Sequence, residues 1–195
     1  MDASTIRLNP VTLRGLAHPL RMRMLGALRL TGPATATMLA ERFGESTGST
    51  SYHLRQLAAH GFVEEDASRG TGRERWWHAS TTTTQWSSTE LEAADPEAAA
   101  LLGGLNRLIL ATQTEQLERW FSTQNTWSQD WRDASTNDDW YFRLTPAQLA
   151  DLRDELHAVL RRRQQASPPL DRSAKAGTEL VAILLHAFPR REDRP

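Results

Sequence analysis

Between Thr47 and Gln56 the sequence sets Thr47, Ser49, Ser51, Tyr52 and Gln56 beside His53 and Arg55. These side chains are short or end in groups that donate and accept hydrogen bonds. A backbone carrying them can come close to a flat, polar partner such as the edge of a base pair. A second set follows at Arg69, Arg73 and Arg75, spaced around Gly70, Thr71 and Gly72. Guanidinium forks on a glycine-rich turn suit anionic oxygens. Both sets bind; neither catalyses. Nothing in the chain assembles a nucleophile, a base and an orienting group, and no phosphate-cradling loop is present. The absence of cysteine excludes disulfides, thiolate metal sites and cysteine nucleophiles. Asp151, Asp154 and Glu155 fall on the polar face of an amphipathic helix, with no complementary base or metal spacing.

The elements that must carry these residues are legible nearby. Gly44 sits where a helix containing Met38, Leu39 and Phe43 has to stop, and glycine suits the left-handed residue after a helix end. Ser46 or Thr47 can cap the next helix. Leu54 and Leu57 form its apolar stripe, with Thr50 on the core side, and Gly61 ends it. Thr35 and Thr37 open the preceding helix, where their hydroxyls can cap it or reach a phosphate. Phe62-Val63 begins an extended segment, Gly70 and Gly72 allow a tight turn, and Arg73 to Trp77 return. Upstream, Pro10 and Pro19 fit the first turns of two more helices, after a short polar arm over residues 1–9. The order of three helices, a polar fourth helix and a basic hairpin predicts a winged helix-turn-helix over residues 8–80. The residues expected to face double-stranded DNA are Thr35, Thr37, Ser46, Thr47, Ser49, Ser51, Tyr52, His53, Arg55, Gln56, Arg69, Thr71, Arg73 and Arg75. His18 and His60 are expected to cap or pack at helix ends.

The charge distribution agrees. Net charge is only −1, yet residues 1–80 hold ten Arg against seven Asp/Glu, and residues 81–195 hold thirteen Lys/Arg against seventeen. The basic half is the one that would meet phosphates.

Residues 81–95 read as a linker or a frayed strand, and 96–190 as a C-terminal region for dimerisation and effector binding. From Pro96 a long helix is expected, with Leu101, Leu102, Leu105, Leu108 and Ile109 facing a core and Leu117, Trp120 and Phe121 extending the stripe. Thr145-Pro146 starts another helix through about Arg163. The runs 140–144 and 180–188 are expected to pair as antiparallel strands, the second with a short buried helix as its alternative. The fold class is therefore mainly α (α+β), a winged helix-turn-helix domain followed by a helical region with a two-stranded antiparallel sheet. Trp86, Trp120, Trp127, Trp131 and Trp140 could line a pocket for an apolar small molecule, or fill a core or interface instead. No apolar run approaches the roughly 20 residues that span a bilayer and nothing resembles a signal peptide, so a cytoplasmic location without membrane contact is expected.

Leu16-Ala-His-Pro-Leu-Arg-Met-Arg-Met-Leu25 and Ser51-Tyr-His-Leu-Arg-Gln-Leu-Ala-Ala-His-Gly-Phe-Val63 resemble the opening helix and the recognition helix of the ArsR-like winged-helix transcriptional regulators. The resemblance covers roughly residues 8–80. It implies a homodimeric repressor released from DNA by an effector, with Thr47, Ser49, Tyr52 and His53 at DNA-facing positions and Arg69 to Arg75 in the wing. The family's thiolate metal site would fall near Thr37 to Ala40, where no cysteine stands. Asp154 and His157 lack a second matching pair, so neither a metal nor another cofactor is expected. Two other readings stay open: a constitutive regulator without ligand, and an adaptor that docks proteins through its winged domain.

Overall fold

Helices in the first half of the chain start where a side chain can satisfy a free amide. Asn9 and Thr12 form a reciprocal capping box ahead of α1 (Pro10–Leu16). The His18 ring accepts from the Leu20 amide at the start of α2 (Pro19–Thr31). Thr35 caps α3 (Ala36–Phe43), and Ser46 caps α4 (Thr47–Ala59). The turn between α3 and α4 passes through Gly44 at φ 67°, and Gly61 follows α4 at φ 75°. Both lie in the left-handed region that a Cβ disfavours, so these glycines fix where the two helices end.

The computed structural model describes residues 5–69, 74–167 and 177–191. They form two compact units, one up to Thr112 and one from Gln113 onward. In the first unit β2 (Ala34–Thr35), β4 (Trp76–Ala79) and β3 (Val63–Glu65) make an antiparallel sheet with β4 in the centre. Glu65 lies opposite Trp77, and Val63 opposite Ala79. β3 and β4 are the two sides of the expected wing; its tip, residues 70–73, lies outside the described residues. The arm expected to be merely polar contains β1 (Thr5–Arg7), which pairs in parallel with β5 (Thr83–Gln85). A parallel pair joins residues far apart in sequence, so nothing in either segment alone announces it. The stretch read as a linker or frayed strand holds β5 and then α5 (Ser88–Ala94).

One core holds this unit together. Leu13, Leu16, Leu20, Met24, Leu25 and Leu28 meet Leu39, Leu54, Leu57, Phe62 and Trp77, and Leu91, Leu102 and Leu105 close it from α5 and α6 (Pro96–Thr123). Leu101 and Ile109 are partly buried against it, much as the α6 stripe predicts. Met38 departs from expectation, since its side chain faces solvent. Arg29 crosses from α2 to the strand region. Its Nε donates to the Thr81 carbonyl at 2.8 Å and its Nη2 to the Thr84 hydroxyl at 2.9 Å. Burial pushes its pKa down to about 10, because desolvation disfavours the charged form.

The second unit contains the end of α6, a 3₁₀ turn (Gln124–Thr126), α7 (Gln129–Ala134) and α8 (Pro146–Ala166). Thr145 and Gln148 form a capping box at the start of α8. Residues 140–144 and 180–188 have no regular secondary structure. The antiparallel pair expected there is not formed, nor is the alternative helix over 180–188. The runs have strand composition, but composition does not supply a hydrogen-bonding partner, and an isolated two-stranded ribbon with no covered face is marginal in water.

Gly15 reports how tightly α1 meets the end of α4. A Cβ built there would stand 2.3 Å from Cγ and 2.6 Å from Cβ of His60, so a rotamer change alone does not make room. Gly15→Ala is expected to destabilise the protein by about 1–3 kcal/mol, the usual cost of overpacking a filled contact. Urea denaturation checks it, and a neutral or stabilising outcome would show that the two helices are loosely apposed.

Candidate nucleic-acid interface

Helix α4 is set by one buried hydroxyl. Thr50 is fully buried, and its Oγ1 lies 2.8 Å from the Ala36 carbonyl, with the Ser46 and Thr47 carbonyls also in reach. The hydroxyl proton can serve one of these at a time, and the Ala36 contact is the shortest. It joins the first turn of α4 to the first turn of α3. Leu54 and Leu57 then anchor the remaining turns in the core. With the inner face fixed this way, the opposite face must carry the polar residues.

That face has the expected content. Thr47, Tyr52 and Arg55 are exposed, and Ser49, Ser51 and Gln56 are half-buried. Tyr52 is 55 % exposed, with its ring edge 5.2 Å from the His53 ring. Arg55 makes no ion pair among the described residues. Ser46 is exposed, but its Oγ is occupied by the Ser49 amide at 3.1 Å. Thr37 is exposed at the N-terminal end of α3. Thr35 is a correction. It is 4 % exposed and its hydroxyl accepts from the Met38 amide at 3.2 Å, so it caps α3 from inside and presents nothing to a duplex.

Two residues escaped the sequence reading. Gly48 is exposed in the first turn of α4, and a Cβ there would meet only Ser46 Oγ, 3.9 Å away. The helix surface is therefore lowest beside Thr47 and Ser49. The available signal was cost: glycine inside a helix is about 1 kcal/mol worse than alanine. Arg21 comes from α2. Its Nη2 donates to the Arg14 carbonyl at 2.9 Å, while its Nε is buried with no hydrogen-bond partner among the described residues. No local pattern ties it to α4, about thirty residues downstream.

Arg21 faces a pair of imidazoles. The His18 and His53 rings meet at 4.3 Å between centroids, tilted by 36°, and His53 Nδ1 is buried without a hydrogen-bond partner among the described residues. Burial lowers the pKa of both rings. Arg21 lowers both further, His18 lowers that of His53, and Glu45 acts weakly in the opposite sense. His53 thus turns toward α2 rather than straight outward.

On the wing, Asp66 accepts from the Ser68 amide and hydroxyl, and these bonds, with Arg69, hold its carboxyl below the ordinary range. Arg69 pairs with Asp66 at 3.1 Å and lies over Trp76 at 5.9 Å. Arg75 reaches Glu65 at 3.6 Å. Both guanidiniums remain more than half exposed, so the carboxylates orient them without sequestering them. Thr71 and Arg73 lie outside the described residues.

The five tryptophans are divided between the two units. Trp86 packs against the core of the first unit. In the second unit Trp120, Trp127 and Trp131 form a chain of ring contacts at 6.4 and 6.3 Å, while Trp140 is 76 % exposed and stacks on Phe142. A cleft of about 570 Å³ in that unit is lined by α8 and by Leu185, Ala187 and Pro189, with no tryptophan. Spacing along the sequence could not separate rings that pack on a local helix from rings that share a pocket. Among the described residues no three His, Asp or Glu side chains converge as metal ligands, and no helix is long and apolar enough to cross a membrane.

The helix-turn-helix domain family matches residues 16–66, which span α2, α3, α4 and β3. No curated protein matches the chain. Among solved structures, a "possible transcriptional regulator for arsenical resistance" is 27 % identical, with 57 % of this chain and 94 % of that one covered and a TM-score of 0.32. HlyU from Vibrio cholerae N16961, in its reduced form, is 21 % identical over 50 % of this chain and 84 % of its own, with a TM-score of 0.30. The homodimeric winged helix-turn-helix DNA-binding domain Mb0332 from Mycobacterium bovis, a possible ArsR-family transcriptional regulator, is 20 % identical over 52 % of this chain and 76 % of its own, with a TM-score of 0.32.

Two predictions test the support of the site. Thr50→Val keeps the shape but removes the hydroxyl that bridges α4 to Ala36. It should cost about 1 kcal/mol, the net worth of a typical intramolecular hydrogen bond, read by thermal melting. The second concerns pH. Because His18 and His53 titrate below the ordinary 6.5 in the folded chain, the unfolded chain binds their protons more readily. Stability from these groups is therefore present above that value and is lost as pH falls below it. The melting temperature should drop between about pH 7.5 and about pH 5.5, and by less in His18→Gln/His53→Gln; equal drops would remove the pair as the cause.

Proposed function

We propose that this chain, with its helix-turn-helix domain over residues 16–66, is a DNA-binding transcriptional regulator of the ArsR-like winged-helix type. It acts as a homodimeric cytoplasmic repressor. The observation that carries the reading is the outward face of α4. Thr47, Gly48, Tyr52 and Arg55 are exposed, while Thr50, Leu54 and Leu57 on the opposite side are buried. A helix held this way enters a major groove with its N-terminal turns at the base edges. Thr47, Ser49, Tyr52 and Gln56 contact bases and phosphates there, and Arg55 makes the bidentate guanine contact. Arg69, Arg75 and the wing tip supply phosphate or minor-groove contacts. Two copies on a roughly palindromic site put their recognition helices about 34 Å apart, one turn of duplex. Residues 8–80 serve as the DNA-reading domain, and the region from residue 96 onward supports dimerisation.

An effector in the C-terminal region is a second reading, and the cleft along α8 lined by Leu149, Leu152, Leu156 and Leu185 favours it. An apolar small molecule seated there would be a ligand of the second unit.

The test begins by selecting bound fragments from a random duplex library. On the selected duplex Arg55→Ala should weaken binding by about ten- to a hundredfold, the worth of one bidentate base contact, with little change on an unrelated duplex. Arg69→Ala should weaken binding to both and lower the salt slope by about one. Selection of no fragment, or variants indistinguishable from the parent on both duplexes, rejects the docking mode.

A further inference from the structure

Several arginines of the first unit rest on carboxylates: Arg7 on Glu90, Arg14 on Asp95 and Glu97, Arg69 on Asp66, and Arg75 on Glu65. Arg21, in the first turn of α2, does not. Among the described residues it has no ion pair. Its Nη2 holds the Arg14 carbonyl, and its Nε is buried with no hydrogen-bond partner among the described residues. Burial works against its charge, since desolvation disfavours an ion that nothing neutralises. The side chain as a whole is only half-buried, so a guanidinium with N–H groups to spare still meets solvent.

The groups beside Arg21 come from three elements. His18 caps the same helix, its Nδ1 accepting from the Leu20 amide at 3.2 Å, so the neutral ring carries its proton on Nε2 and donates from there. His53, on α4, meets that ring at 4.3 Å between centroids. Tyr52, 5.2 Å from His53, belongs to the exposed face of α4. Glu45, in the turn before α4, is the acid of the group; it is exposed and acts on both imidazoles less than Arg21 does. The cluster is therefore cationic and rich in donors, and it borders the face that α4 turns outward.

We propose that Arg21, with His18 and His53 beside it, takes one backbone phosphate of the duplex on the flank of α4 that faces α2. This site rests on the docking mode above and adds α2 to it. Width argues for a phosphate rather than a base. A major groove is about 12 Å wide and a helix with its side chains about 10–12 Å across, so a group on the flank of a seated helix meets the sugar-phosphate wall. His53 lies four residues after Ser49 and shares its flank, off the side that carries Gly48 and Arg55. Charge argues for the same occupant. A guanidinium and two imidazoles that no described carboxylate pairs with suit non-bridging phosphate oxygens, which accept several bonds. A free anion is a poorer occupant. One half-exposed cation holds it weakly in water, whereas a phosphate on a seated duplex is brought there by the contacts of α4.

The test uses the full chain and the duplex selected above. Arg21→Gln should weaken binding about tenfold, as loss of a charged hydrogen bond does, on the selected and an unrelated duplex alike, and lower the salt slope by about one. Arg21→Lys should keep the slope. His18→Asn retains a cap for α2 and should weaken binding severalfold. Each phosphate of the selected duplex is then replaced singly by a neutral methylphosphonate. At one position the replacement should cost the parent as much as Arg21→Gln does, and there Arg21→Gln should add nothing, while Arg55→Ala still weakens binding. If Arg21→Gln melts early, the same scan with His18→Asn must show its coupling at that phosphate. Losses that add at every phosphate mean that Arg21 and His18 only secure the helix ends, and overturn the proposal. Inorganic phosphate should compete no better than chloride at equal ionic strength; competition that Arg21→Gln abolishes makes a free anion the ligand and overturns the duplex assignment. Selected DNA with an additive scan rejects this site and keeps the regulator. If no duplex is selected, the regulator reading falls, and the salt slope on a random duplex at low salt decides the site: a drop of about one in Arg21→Gln keeps it, and an unchanged slope or no binding rejects it.

Discussion

The site depends on where the inner face of α4 is held. Thr50 reaches back to Ala36 at 2.8 Å, while Leu54 and Leu57 sit in the core with no exposed surface. A hydroxyl bond is directional and apolar burial is not, so the two do different work. Leucines keep the helix down, at roughly 1.5–3 kcal/mol each when fully buried, but would tolerate rotation about its axis. The hydroxyl fixes the rotation by tying one position to one carbonyl of α3. Rotation decides which side chains look outward. The polar composition of the outer face would be of little use on a helix free to turn.

Most of that arrangement was legible because the rules that set it are local. Gly44 and Gly61 mark the helix ends and adopt the left-handed backbone that glycine favours; Ser46 caps where a serine before a polar helix should. The stripe of Leu54 and Leu57 follows from a period of 3.6. Thr35 shows the limit of the same reasoning. Its type and position suit both a cap and a phosphate contact, and only its burial decides between them. Long-range choices were not legible at all. The β1–β5 ladder pairs Thr5 with Thr83, Arg29 finds Thr81 and Thr84, and Arg21 comes near enough to bias His53. In each case the sequence states what a residue can bond, and the fold alone selects which of several equivalent partners it meets.

The C-terminal runs failed for a different reason. Their composition suits strands, yet neither run forms one; Trp140 stacks on Phe142 through its ring alone. What pattern cannot encode is whether the complementary edge lies in the same chain. A strand is half of an interaction, whereas a helix satisfies its own backbone. This is why α8, with its capping box at Thr145 and Gln148, came out as expected while the flanking strands did not.

The balance of charge in the wing bears on how such a chain could be selective. Arg69 and Arg75 each have a carboxylate neighbour, Asp66 and Glu65, in a chain whose net charge is −1. Exposed pairs of this kind contribute about 0–1 kcal/mol to stability, so releasing a guanidinium to a phosphate costs little. It does cancel part of the field that would draw the chain to any polyanion. In the proposed docking this attraction is common to every duplex, so it scales all affinities alike and leaves their difference, which is specificity, to the contacts proposed for α4. On this argument the acidic neighbours of the wing set the overall strength of binding rather than its selectivity. Substituting Glu65 and Asp66 by their amides should strengthen binding to every duplex by a similar factor and leave the gap between the selected one and the rest unchanged, measured side by side at fixed salt; no gain on any duplex would mean that the wing carboxylates only shape the hairpin.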